Sequence, residues 1–312
     1  MVAVGLDIGG TKLSAALVDG EGHLRSAPLS VPTPSLGGRE AVLQAAAHLV
    51  KEVLDADGAK NPKPEVLGVG TAGVISPGGV VTSATDLLKD WAGTNVSAEL
   101  KRLTGLPATA LNDVHAAAVG EAHAALDLGF RRVLVVAVGT GIGGGFVLDG
   151  ALDLGTSGIA ASVGHLFVPH RLKRCCSCGV TGHVEAYASG PSMEAIYNEA
   201  TGSSLDLRQI EQLAKGGDGA AQGVIREGAK ALGFALASAA NVTDPDIIVI
   251  GGGVSNLGEF LLGPATESYR EAVLPPARDI PVVTAKLGTS AAIVGAALTA
   301  LRNKKLGTAS TY

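Results

Sequence analysis

Three apolar runs, each broken off by glycines, constrain this chain more than any other feature. They are AVGLDIGGTK (3–12), VLVVAVGTGIGGG (133–145) and IIVIGGGVS (247–255). Each predicts a buried strand followed by a turn whose backbone a ligand can approach closely, because no side chain stands in the way. Between them lie Ala-rich helical stretches at 114–127 and 219–242, and 39–57 places Val42, Leu49, Val50, Val53 and Leu54 on one helical face. Residues 66–73 and 108–111 predict further strands, 97–104 and 290–305 further helices. The first run continues through 13–31 as two more short strands, with a hairpin turn at Asp19 to Gly22. The alternation is that of an α/β protein. Repetition of strand, glycine turn and strand predicts two related lobes around a cleft, with ATALND (108–113) as a boundary.

Composition narrows the function. Of 312 residues, 46% are hydrophobic and 17% charged, which excludes a disordered chain. Net charge is -5 and aromatics make up 3%, so neither a basic footprint nor stacking platforms for nucleic acid are expected. The charge-free run from Val133 to Leu148 is glycine-rich and too short for a membrane span, and MVAVGLDIGGTK lacks the basic start of a signal peptide. The three cysteines fall within 175–178, an odd, clustered set that suits a metal in a reducing compartment better than disulfides. A cytoplasmic protein is expected, with no membrane or nucleic-acid partner.

The glycine turns are the candidate phosphate sites. In Asp7-Ile8-Gly9-Gly10-Thr11-Lys12, backbone N–H groups, the Thr11 hydroxyl and the Lys12 ammonium can face phosphate oxygens. Asp7 can hold Mg²⁺ directly or through water. The segment is neither a GxxxxGK[ST] loop nor a dinucleotide fingerprint, because a strand follows it rather than a helix. Gly139-Thr140-Gly141 and Gly251-Gly252-Gly253 are the second and third turns. Each alone is explained by strand punctuation; three in one chain favour a nucleotide.

Asn112-Asp113 ends a strand and precedes an Ala-rich helix. Both are favoured helix caps, yet this is also where α/β sheets present ligand-binding residues. Phosphoryl transfer to an alcohol needs an acceptor for the hydroxyl proton, and a positioned Asp113 carboxylate suffices. Further on, His165, Cys176, Cys178 and His183 offer two imidazoles and two thiols within 19 residues, a tetrahedral zinc set in which Cys175 can stand in for Cys176. Four protein ligands leave no open position, so such a zinc is structural.

In combination, DIGGTK, ND with AAAVGE, GTGIGGG, GH with CSCGxxGxxE, and IGGGVS resemble the ROK family of repressors and sugar kinases, over nearly the whole length. The resemblance implies the actin-like (ribonuclease H-like) fold, two lobes with ATP bound in an interlobe cleft. The corresponding division is 1–113 plus 290–312 as a smaller lobe and 114–289 as a larger lobe with the zinc site. It implies phosphate binding by Asp7, Gly9, Gly10, Thr11, Lys12 and Gly139 to Gly141, with Gly251 to Gly253 near the adenosine. Asp113 corresponds to the family's catalytic base, acting on the 6-hydroxyl of a hexose. Asn112, His165 and Glu185 correspond to sugar-hydroxyl ligands, and homodimers or homotetramers are implied.

Two positions depart from the family pattern. Ser162 stands where a sugar-binding glutamate is expected, and some N-acetylmannosamine kinases of the family also lack that glutamate. The substrate expected is therefore glucose or an amino or N-acetylamino hexose. His183 replaces a usual zinc cysteine, which imidazole can do. The rival expectation is a sugar-responsive regulator or sensor without kinase activity; family repressors carry a DNA-binding segment before the kinase-like body, and six residues precede Asp7 here.

Overall fold

The computed structural model describes residues 1–58, 62–84 and 87–307. In chain order its elements open with β1 (Val2–Ile8), β2 (Lys12–Asp19), β3 (Leu29–Pro32) and α1 (Gly38–Asp57). Next come β4 (Leu67–Thr71), β5 (Val74–Ile75), β6 (Val81–Ser83), α2 (Val96–Thr104), β7 (Ala108–Asn112) and α3 (Asp113–Leu126). β8 (Arg132–Val138), β9 (Ile142–Leu148) and β10 (Ala151–Asp153) follow, then α4 (Glu185–Ala188), α5 (Gly190–Thr201), α6 (Leu207–Lys215) and α7 (Gly219–Thr243). The chain closes with β11 (Ile247–Gly251), α8 (Glu259–Ala272), β12 (Val282–Thr284) and α9 (Ala291–Leu306).

Two compact units result: Met1–Gly129 with Gly150–Ile159 and Leu287–Tyr312, and Phe130–Asp149 with Ala160–Lys286. In the first, the sheet order is β3-β2-β1-β4-β7. β1 and β2 form an antiparallel hairpin, whereas β1, β4 and β7 run parallel. Ile8, Thr71 and Asn112 therefore lie side by side at the carboxyl ends of three parallel strands. α1 buries Val42, Leu43, Leu49, Val50 and Val53 on the β1–β4 core. α9 covers the opposite face at backbone distance: a Cβ on Gly68 would lie 1.9 Å from the Ala296 carbonyl.

The expected boundary at residue 113 falls inside this unit. α3 packs on α9 so closely that a Cβ on Gly295 would meet the Ala116 carbonyl at 1.8 Å, and one on Gly120 the Ala291 carbonyl at 2.3 Å. That contact between distant segments keeps α3 with the first sheet, and nothing local at ATALND announces it.

In the second unit the strands run β9-β8-β11-β12. β8 and β9 form a hairpin, and β11 pairs parallel with β8 and β12. α7 packs against α8, and its Ile225, Ala229, Leu232 and Leu236 share one core with Leu134, Val136, Ile248 and Ile250 of the strands. No helix among the described residues is long and apolar enough to cross a membrane.

Candidate active site

In the first unit the predicted residues gather at the carboxyl edge of the parallel strands. Gly9 and Gly10 form the β1–β2 turn, closed by the Gly9 N–H on the Lys12 carbonyl at 3.1 Å. The Thr33 hydroxyl donates to the Gly9 carbonyl at 2.7 Å and pins the turn from outside. Thr11 and Lys12 are exposed at its tip. Asp7 sits one residue before the end of β1, beside Gly70 of β4. Burial, and then the nearby Asp113 charge, push its carboxyl up to about 7, against the pull of Lys12. Two carboxyl groups thus share one edge of the sheet.

Asp113 is the first residue of α3, and Asn112 is its cap: the Asn112 Oδ1 accepts from the N–H groups of Val114 (2.9 Å) and His115 (3.1 Å). The Asn112 Nδ2 donates to the Gly73 carbonyl at 2.9 Å, and the amide also hydrogen-bonds the Asp113 carboxyl. Asn112 takes two of the free N–H groups at the start of α3, and the Asp113 Oδ1 shares one of them, that of Val114, so one carboxylate oxygen of Asp113 also serves the helix start. Burial raises its carboxyl above the usual range, although the Val114 N–H on Oδ1 at 2.9 Å works against the rise. Close seating of α3 depends on Gly70, where a Cβ would lie 3.2 Å from that of Ala116. Trp91, the chain's one tryptophan, also supports this edge: its indole N–H donates to the buried Thr71 hydroxyl at 3.1 Å. In the sequence, nothing but its being the one tryptophan marks Trp91.

In the second unit the other two glycine turns come together. Gly139, Thr140 and Gly253 line one cavity of about 630 Å³, along with Gly190, Arg208 and Asn256. Gly139 to Gly141 join β8 to β9, and the Gly139 carbonyl accepts the N–H of Gly190, the first residue of α5. Ser189 caps α5 and a proline lies in its first turn, a helix-start signal that the sequence reading did not use. Gly252 has φ +84°, and a Cβ there would lie 2.3 Å from the Val138 carbonyl, so the third turn folds directly onto the second.

Glu185, at the start of α4, locks the second turn to the cysteine loop. Its Oε2 accepts the Ile142 N–H at 2.9 Å, and a Cβ on Gly141 would come within 2.8 Å of that oxygen. Its Oε1 accepts from the Ser177 hydroxyl at 2.5 Å and the Cys176 thiol at 3.3 Å. Burial would raise this carboxyl; the Ser177, Ile142 and Cys176 hydrogen bonds and the His165 charge outweigh it and hold it below the ordinary glutamate value.

His165, Cys176, Cys178 and His183 converge with all four donor atoms within 4.8 Å of one another. The His165 Nδ1 is 3.7 Å from the Cys176 sulfur, and the His183 Nδ1 is 3.2 Å from the Cys178 sulfur. Zinc bonds of about 2.1 Å to nitrogen and 2.3 Å to sulfur set ligand separations of roughly 3.5–3.8 Å, so the donor set fits a tetrahedral ion. Backbone bonds hold it: the Val168 N–H donates to the Gly182 carbonyl, the Val184 N–H to that of Leu166, and the Cys176 N–H to that of Val180. Cys175 lies outside the cluster, its thiol on the Cys176 carbonyl. Burial, with the Glu185 carboxylate alongside, pushes the Cys176 thiol up to about 11, so metal binding here displaces a proton. Ser162 is exposed and leads into a short turn, Val163–His165.

The ROK family profile matches residues 3–303. A glucokinase of Streptomyces coelicolor is 33% identical over 95% of this chain and 96% of its own. An N-acetylmannosamine kinase of Escherichia coli is 34% identical over 97% of this chain and 100% of its own. The structure of a ROK glucokinase from Streptomyces griseus in complex with glucose and AMPPNP superposes with a TM-score of 0.80 at 32% identity, covering 97% of this chain and 100% of that one.

Proposed function

The chain belongs to the ROK family, and on that premise we propose that it is an ATP-dependent hexose kinase acting on the sugar 6-hydroxyl. One observation carries the reading: Asp113 stands at the carboxyl edge of the first sheet, beside the Asn112 cap, with its carboxyl raised by burial. A raised carboxylate is a stronger base toward an alcohol proton. In this reading Asp113 accepts that proton, and Asn112, His165 and Glu185 hold sugar hydroxyls. The turns at Gly9 to Lys12 and Gly139 to Gly141 cradle phosphates through backbone N–H groups, and the cavity beside Gly253 takes the nucleoside. ATP with Mg²⁺ supplies the phosphoryl group and neutralises its charge, and Asp7 is the carboxylate that would hold the cation. Zinc at His165, Cys176, Cys178 and His183 is structural, having no open position.

A second reading concerns the sugar. The exposed Ser162, at the expected glutamate position, removes a charged acceptor near C2 and C3, which favours an amino or N-acetylamino hexose over glucose. Coupled ADP release across glucose, mannose, N-acetylmannosamine, N-acetylglucosamine and amino-deoxy hexoses tests both readings. Turnover with none of them, alongside measurable sugar binding, would favour the sensor. The reading includes a cytoplasmic location and a homodimer or homotetramer, the latter checked by light scattering.

A further inference from the structure

We propose that Ser177 is a positioning residue that transmits occupancy of the metal loop to Glu185, and so sets sugar affinity. The inference rests on the reading of Glu185 as a sugar ligand. Three donors aim this carboxylate. The Ile142 N–H fixes Oε2 at 2.9 Å and belongs to the backbone of β9. Oε1 has the Ser177 hydroxyl at 2.5 Å and the Cys176 thiol at 3.3 Å.

The two donors to Oε1 differ in what a cation does to them. A metal-bound cysteine is a thiolate and has no proton to donate. Once Cys176 is a ligand, Ser177 is the remaining side-chain donor to Oε1, and it faces a carboxylate with a negative sulfur beside it. Without that hydroxyl, Oε1 would face the thiolate with no side-chain donor, and the Ile142 N–H on Oε2 would be left to aim the carboxylate. Ser177 also lies between two of the four clustered ligands, Cys176 and Cys178. Its backbone is therefore held by whatever holds them. The exposed serine makes no contribution to the core; its hydroxyl donates to Glu185 and lies 3.9 Å from the Cys176 sulfur, the longer and weaker of the two contacts.

The test uses full-length protein loaded with zinc. Sugar binding is measured by calorimetry without nucleotide, using the hexose preferred in the kinase screen, or glucose if no hexose turns over. Ser177→Ala should keep one equivalent of zinc and an unchanged melting temperature, while the sugar Kd rises about tenfold, the size of a lost hydrogen bond to a charged group. Ser177→Thr, which restores the hydroxyl, should return Kd to within about twofold of wild type. Removing zinc should weaken sugar binding more in the wild type than in Ser177→Ala, because that variant has already lost the connection. An unchanged Kd in Ser177→Ala, no rescue by threonine, or equal losses on zinc removal would each overturn the relay while leaving the kinase reading intact. A wild type that turns over no screened hexose and does not bind glucose would overturn both.

Discussion

Asp7 should cost this protein stability, and the cost should depend on pH in a calculable way. Its carboxyl titrates at about 7 in the folded chain, against 3.8 when unperturbed, because burial and the neighbouring Asp113 disfavour its charge. The folded state therefore holds the Asp7 proton more tightly than the unfolded state does. The penalty is absent below pH 3.8, grows between the two values, and is complete above pH 7. At 1.36 kcal/mol per pKa unit, the full penalty is about 4 kcal/mol, of which roughly 1–2 kcal/mol is present at pH 5. Asp7→Asn keeps the shape and removes the charge. In urea unfolding without Mg²⁺ or nucleotide, the variant should exceed wild type by a margin that widens about 2–3 kcal/mol from pH 5 to pH 8. The same substitution should abolish most kinase activity, the usual opposition between a charged site and stability. A margin equal at both pH values, or a variant less stable than wild type at pH 8, would refute this account of Asp7. Placing Asp113→Asn in the background should shrink the margin, since the Asp113 charge is one of the two causes.

Asp113→Asn by itself should lower kcat roughly 10²- to 10⁴-fold in the coupled assay while the circular dichroism spectrum stays unchanged. Near-normal turnover would remove Asp113 from the proton transfer. Chelation, or Cys178→Ser, should release one equivalent of zinc by atomic absorption and lower Tm by roughly 5–15 °C. Ser162→Glu should raise kcat/KM for glucose relative to N-acetylmannosamine, read as the ratio of the two in one preparation.

What the sequence by itself determined is the set of short-range features. The three glycine-broken runs became β1, β8 and β11 with the turns that follow them. Those signals are local: an apolar strand must be buried, and a turn that approaches another backbone excludes side chains. The four clustered ligands were also legible, because His165 to His183 span so little chain that a loop brings them together. Even so, only the packed loop separated Cys176, inside the cluster, from Cys175, outside it.

Tertiary structure decided what depends on contacts between distant segments. Whether Asn112 or Asp113 capped α3 was open from the sequence, since both residue types can do it; the Asn112 side-chain oxygen takes two N–H groups and Asp113 shares one of them. The raised pKa of Asp7 comes first from burial and then from Asp113, 106 positions away along the chain, brought near it by the parallel order of β1, β4 and β7. The place of α3 in the first unit needed Gly295 against Ala116, and the hold on Glu185 needed Ile142 of β9 and Ser177 of the cysteine loop. Charge, capping and close packing are set by which groups share a desolvated space, and for these residues sharing arises only once the sheets and helices have assembled.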